Sequence, residues 1–131
     1  MSTSSNDPSD SPPADGLPRE GNTIAQQLTL PCVLSFNAND PTGAGGLAAD
    51  VAAMGSASVH MLPIVTAVLI RDTTDTQDHV SLDEEAITDQ ARIVLEDIPV
   101  ASMKVGFLGR PENVSAVAQI ANDYADIPVV A

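Results

Sequence analysis

The chain has 131 residues, room for one domain at most, and carries 18 Asp and Glu against 5 Lys and Arg, a formal net charge of −13. So acidic a balance excludes the basic patches that neutralise nucleic-acid phosphates and disfavours an anionic membrane surface. The hydrophobic fraction of 44 % supports a core, but with two Phe, one Tyr and no Trp it rests on Ala and Val. The acidity fits a carboxylate surface kept hydrated in a high-salt cytoplasm, or simply an acidic soluble protein.

Cys32 is the single cysteine, which rules out a disulfide framework or a Cys-pair metal site and suits a reducing cytoplasm. No apolar run is long enough to span a bilayer. The N-terminus lacks the basic and apolar segments of a signal peptide.

Residues 1–27 are rich in Ser, Pro, Asp and Gly and read as a disordered tail, because so little apolar surface cannot offset the entropy of ordering. The ordered domain is read as residues 28–131. Cys32 to Phe36 is a first short strand. A glycine-rich turn follows, Asp40-Pro41-Thr42-Gly43-Ala44-Gly45-Gly46, and then an Ala-rich helix from Leu47 to about Gly55. A turn of this kind between strand and helix is where α/β proteins hold ligands. Asp40-Pro41 favours turn initiation, and Asp50 falls one helical turn in. The pattern is neither G-x-G-x-x-G nor a phosphate-binding Walker loop, so taken alone it fits a tight turn with a solvated Asp50 equally well.

Leu62 to Ile70 is a near-continuous apolar run, as in a strand buried on both faces of a parallel sheet. Arg71 to Asp78 reads as a polar loop. Ser81 and Glu84 have capping-box spacing, and the helix they open carries Ile87, Ala91, Val94 and Ile98 on one face up to Pro99. Ala101 to Phe107 is a third strand. Pro111 starts a helix with Val114, Val117, Ala118, Ala121 and Tyr124 on one face, and Ile127 to Ala131 begins a fourth strand. The order βαβαβαβ implies an α/β fold with a parallel sheet, right-handed crossovers and helices on both faces.

Three collinear blocks carry a resemblance. Ala38 to Asp50 is similar to the G-x-D-P-S-G-G-A-G-(I/L)-x-A-D signature of the hydroxymethylpyrimidine and phosphomethylpyrimidine kinases of thiamine biosynthesis, members of the ribokinase-like superfamily. His60 to Val68 resembles their H-x-L-P-V-V-T-A-L block, and Met103 to Leu108 their V-K-I-G-(M/I/F)-(L/V) block. The resemblance covers about residues 32–131 and corresponds to roughly the N-terminal half of a family member. It implies a truncated ribokinase-like fold and a phosphotransferase that moves the γ-phosphate of ATP to hydroxymethylpyrimidine or its monophosphate. ATP and Mg²⁺ are implied as cofactors. Their binding residues, the catalytic base and the G-T-G-(C/D) anion hole lie in the half this chain does not contain, so the chain alone is expected to show weak or no activity.

The same resemblance implies the substrate residues. Asp50 would bond the polar edge of the pyrimidine, Gly45 and Gly46 would allow close backbone contact, and Phe107 would lie against the ring. Arg71 stands where relatives often have Gln. Gln offers a donor and an acceptor, Arg only donors and a fixed charge, so three readings stay open: the ligand differs, for example an anionic or phosphorylated one; recognition has moved elsewhere; or Arg71 pairs with Asp72 or Asp75 at the surface. Lys104 reads as a snorkelling strand-end lysine. His60 and His79 have no partners at metal spacing. Two other readings stay open: a non-catalytic relative that holds a small ligand, and a kinase for pyridoxal-type rings. A sheet cut at its fourth strand leaves an unpaired edge, which makes self-association into a homo-oligomer an expectation.

Overall fold

The computed structural model describes residues 30–131, so the expected tail over 1–27 lies outside the described residues. Eight elements follow in order: β1 Cys32–Asn39, α1 Gly46–Ser56, β2 His60–Arg71, β3 Thr76–Ser81, α2 Glu84–Asp97, β4 Ser102–Val105, α3 Pro111–Asp123 and β5 Val129–Val130. They build one five-stranded sheet in the order β3-β2-β1-β4-β5. β1 pairs in parallel with β2 and β4, and β4 with β5.

The sheet is mixed, which corrects the all-parallel expectation. The stretch read as a polar loop contains a hairpin, and β3 returns antiparallel on β2, Val68 facing Val80 and Leu69 facing His79. The physical reason is that β3, Thr-Gln-Asp-His-Val-Ser, is an edge strand solvated along nearly its whole length. It has no core face, so no apolar alternation marks it.

Alternation along β1 divides its side chains between two faces. Cys32, Leu34 and Phe36 join Leu62, Ile64 and Met103 under α2 and α3, which contribute Ile87, Ala91, Val117 and Ile120 to the core. Ser35 and Asn37 point to the other face, where α1 lies. Helices therefore cover both faces. Asp83 caps α2 by accepting from the Ala86 N–H at 2.9 Å, in place of the expected Ser81, which ends β3. On α3 the buried face is Asn113, Val117 and Ile120, while Val114 is exposed. The expected stripe was turned because a polar residue, Asn113, sits on the core side.

One irregularity lies near the C-terminal end of β1. The β1–β2 register slips between Asn37 and Ala38, so Thr66 is left as a bulge. Gln90 of α2 patches it: its Oε1 accepts from the Val65 N–H at 3.0 Å and its Nε2 donates to the Val65 carbonyl at 2.8 Å. The buried Thr66 hydroxyl donates to the Phe107 carbonyl at 2.6 Å, just past β4.

Candidate functional site

The chain leaves β1 toward β2 on one side and enters β4 on the other, so the connections diverge at the C-terminal ends of β1 and β4. Ligands of open α/β sheets bind at such a switch point. The residues there are the Asp40–Gly46 loop after β1 and Gly106-Phe107 after β4.

Asp40 is buried and organises the loop. Its Oδ1 accepts from the Thr42 N–H at 2.9 Å and the Thr42 hydroxyl at 2.8 Å, and its Oδ2 from the Gly45 N–H at 3.0 Å. These bonds, those from Thr42 foremost, hold the Asp40 carboxyl below the usual carboxylate range. Gly46 takes φ 61°, and a Cβ there would meet the Ala38 carbonyl oxygen at 2.3 Å. A Cβ on Gly45 would approach Asp40 Oδ2 at 3.2 Å. Gly46 is thus required by the loop's own packing, while at Gly45 a side chain would press on the Asp40 carboxylate.

Arg71, at the end of β2, reaches the same loop. Its Nη1 lies 3.4 Å from Asp40 Oδ2 and its Nε donates to the Asp72 carbonyl at 3.0 Å. Its ion-pair partner is the loop aspartate, not the side chain of Asp72 or Asp75.

Asp50 of α1 is buried against the sheet. Its Oδ2 accepts from the Ser35 hydroxyl at 2.9 Å and the Asn37 amide at 3.1 Å, and its Oδ1 pairs with the Lys104 ammonium. Burial pushes its carboxyl up, but the bonds from Lys104, Asn37 and Ser35 outweigh burial and hold it below the usual range. Lys104, read as a snorkelling side chain, is the counter-ion of Asp50. Phe107 is 42 % exposed and meets the His79 ring edge-on, with centroids 5.1 Å apart. It borders an open depression of about 450 Å³ between Gly106 and Pro111, with Val114 on its far side.

The five residues expected from the sequence therefore fall into two groups. Gly45, Gly46 and Arg71 gather around Asp40, while Asp50 and Phe107 are joined through Asn37, whose Oδ1 accepts from the Phe107 N–H at 3.1 Å. Sequence reasoning missed Ser35, Asn37 and Thr66, which bond these groups, and gave Asp40 only a turn-forming role. Asp40 alone carried a signal, its Asp-Pro step. Among the described residues no three His, Cys, Asp or Glu side chains are grouped to hold a metal ion.

Against this geometry, the family model described as phosphomethylpyrimidine kinase matches residues 40–131. The hydroxymethylpyrimidine/phosphomethylpyrimidine kinase of Streptomyces coelicolor is 33 % identical over 93 residues, 71 % of this chain and 35 % of that protein. The protein of the same name from Mycobacterium tuberculosis is 33 % identical over 91 residues, 70 % of this chain and 33 % of its own. The chain spans about a third of the length of these curated relatives. Among solved structures, the phosphomethylpyrimidine kinase of Clostridium difficile superposes with a TM-score of 0.69 at 23 % identity, over 72 % of this chain and 41 % of that one. A reconstructed last common ancestor of HMPPK and PLK/HMPPK vitamin kinases gives the same TM-score, 0.69, at 29 % identity over 76 % of this chain and 47 % of its own.

Proposed function

The chain belongs to the phosphomethylpyrimidine kinase family, and from that membership we propose that it forms the substrate-side portion of an ATP-dependent kinase of thiamine biosynthesis. The acceptor would be 4-amino-5-hydroxymethyl-2-methylpyrimidine or its monophosphate. The observation that carries the reading is the family's glycine loop standing at the sheet's switch point, with Asp50 one turn into the following helix. In this reading Asp50 orients the ring's polar edge, Gly45 and Gly46 shape the loop side of the mouth, and Phe107 offers a face for the ring. Arg71, paired with Asp40, serves in this reading to hold the loop and could turn to an anionic substituent only by giving up that pair.

ATP and Mg²⁺ are the cofactors this reading implies. The described residues offer no grouped metal ligands, and Arg71 and Lys104 are engaged with Asp40 and Asp50. Turnover by this chain alone is expected to be weak or absent. A small polar metabolite and a lone buried thiol suit the cytoplasm.

A second reading is a non-catalytic relative that holds a small ligand. The engagement of the Asp50 carboxylate by three donors of the chain itself favours it. The pyridoxal-type alternative has less support, since the curated relatives carry the pyrimidine name. Ligand-observed NMR titration of the 131-residue chain tests the proposal. Saturable binding of the aminopyrimidine that is lost in Asp50→Ala supports it. Binding that survives Asp50→Ala removes Asp50 from the site, and no binding of either pyrimidine overturns the reading. Phosphorylation assayed alongside with ATP separates enzyme from binding module.

A further inference from the structure

The glycine loop, α1 and the mouth of β4 converge on one side chain just ahead of the family-like loop. Asn37 sits near the end of β1, at the switch point itself. Its amide is held in one orientation. Oδ1 accepts from the Ala38 N–H at 2.9 Å and the Phe107 N–H at 3.1 Å, and Nδ2 donates to Asp50 Oδ2 at 3.1 Å. Because two N–H groups require an oxygen on one side and a carboxylate requires a donor on the other, the flipped amide is excluded. The amide also lies flat over Gly106. A Cβ on Gly106 would stand 2.6 Å from its Cγ, 2.6 Å from its Nδ2 and 2.7 Å from its Oδ1. The missing side chain of Gly106 thus makes room for Asn37, not for open space.

We propose that Asn37 is the specificity-determining residue of this mouth: its amide occupies Asp50 Oδ2 and the space over Gly106, so a flat ring that uses that oxygen must displace it. The inference rests on the pyrimidine reading above. The chemistry of the plug mirrors that ligand. An aminopyrimidine would offer Asp50 an exocyclic N–H donor on a planar, conjugated frame. Asn37 already offers an N–H donor on a planar frame, with its oxygen secured by two backbone N–H groups. A competing ring must displace the bond to Asp50 and also the amide bulk over Gly106. Ser35 shares Oδ2 with Asn37 and Lys104 takes Oδ1, so a ring donor aimed at Oδ2 competes with the Asn37 bond. The native chain therefore admits an amine-bearing ring to Asp50 Oδ2 only when the Asn37 amide gives up that bond, which sets the cost of binding such a ring there.

The test is an NMR-detected titration of the full chain with 4-amino-5-hydroxymethyl-2-methylpyrimidine, in the native form and in Asn37→Ala, Asn37→Ser and Asn37→Leu. Circular dichroism establishes folding first, and Asn37→Ser stands in if Asn37→Ala is unfolded, since its hydroxyl can keep the Ala38 bond. Removing the plug is expected to tighten binding about tenfold or more, the worth of one charged hydrogen bond no longer displaced. Asn37→Leu, which refills the space without a donor, is expected to bind no tighter than the native chain. Adding Asp50→Ala to the Asn37→Ala chain should abolish the gain. Native-like affinity in Asn37→Ala and Asn37→Ser overturns the proposal, and if the native chain binds, it does so while leaving the pyrimidine reading intact. Absence of binding by every form overturns both.

Discussion

At Gly46 and Gly43 the backbone φ is positive, 61° and 75°, yet the two positions rest on different physics. A Cβ at Gly46 meets the Ala38 carbonyl oxygen at 2.3 Å, while at Gly43 it meets nothing within 4 Å. Gly43→Ala is therefore expected to cost only the left-handed conformation, about 1–2 kcal/mol. Gly46→Ala adds a clash with rigid backbone at the end of β1 and is expected to cost more than about 2 kcal/mol. Urea midpoints of the two variants check the order. Asp50 offers a test through pH. Its native carboxyl lies below the ordinary value, so the stability it contributes is fully present above the unfolded pKa of about 3.9. That contribution is lost as pH falls through the native value. Asp50→Asn leaves the buried Ser35 hydroxyl and the Asn37 amide without their ionised acceptor, an expected loss of about 1–3 kcal/mol at pH 7. The gap between native and Asp50→Asn midpoints should be widest at neutral pH and close below pH ~4. A gap that is constant with pH would mean the carboxyl is not held down by these donors.

The elements that sequence periodicity identified are those with a core face. α2 was legible because Ile87, Ala91 and Val94 repeat at helical spacing over a sheet that buries them, and β1 and β2 because both lie inside the sheet. β3 was not, since its partners are backbone groups of β2 and its side chains face water. The start of α2 was misplaced because the Ser81 hydroxyl, which looked like a cap, donates to the Leu82 carbonyl and receives the Asn113 amide. At the site, the loop glycines and Asp50 were readable because they lie within one short stretch. The roles of Asn37, Lys104 and Thr66 were not, because each depends on a partner brought close by strand pairing, 70 residues away for Asn37 and Phe107. The bulge at Thr66 gives an element-scale prediction. Gln90→Leu keeps the helix and its volume but strands the Val65 N–H and carbonyl, so it should destabilise the chain by about 1–3 kcal/mol. Thr66→Val, nearly isosteric, frees the Phe107 carbonyl and is expected to cost about the same. Denaturation midpoints measure both, and Thr66→Ser, which restores the hydroxyl, should recover most of the second loss.

Across the whole molecule, apolar surface is exposed at both ends of the sheet while charge works against contact. On the hairpin, Val68 and Val80 face each other across the strands, exposed at 37 % and 59 %, with Ile70 at 47 % beside them. At the other edge Val129 and Val130 are exposed at 44 % and 61 %. Edge strands that carry branched apolar residues and unpaired backbone groups favour pairing with another copy. The net charge of −13 opposes such pairing through repulsion between copies. Salt decides which term wins, since the screening length falls from about 10 Å at 0.1 M to about 3 Å at 1 M while apolar contact is retained. The chain is therefore expected to sediment as a monomer in dilute buffer and to self-associate as salt is raised. Val130→Lys and Val80→Lys each place a charge on one edge, and only the edge that pairs should respond: the variant on that edge stays monomeric at 1 M salt, while the other still associates. Sedimentation velocity at the two salt concentrations distinguishes these outcomes. A native chain that is monomeric at both concentrations would show that its exposed valines are too few, or too far apart, to hold two copies together even when the repulsion is removed.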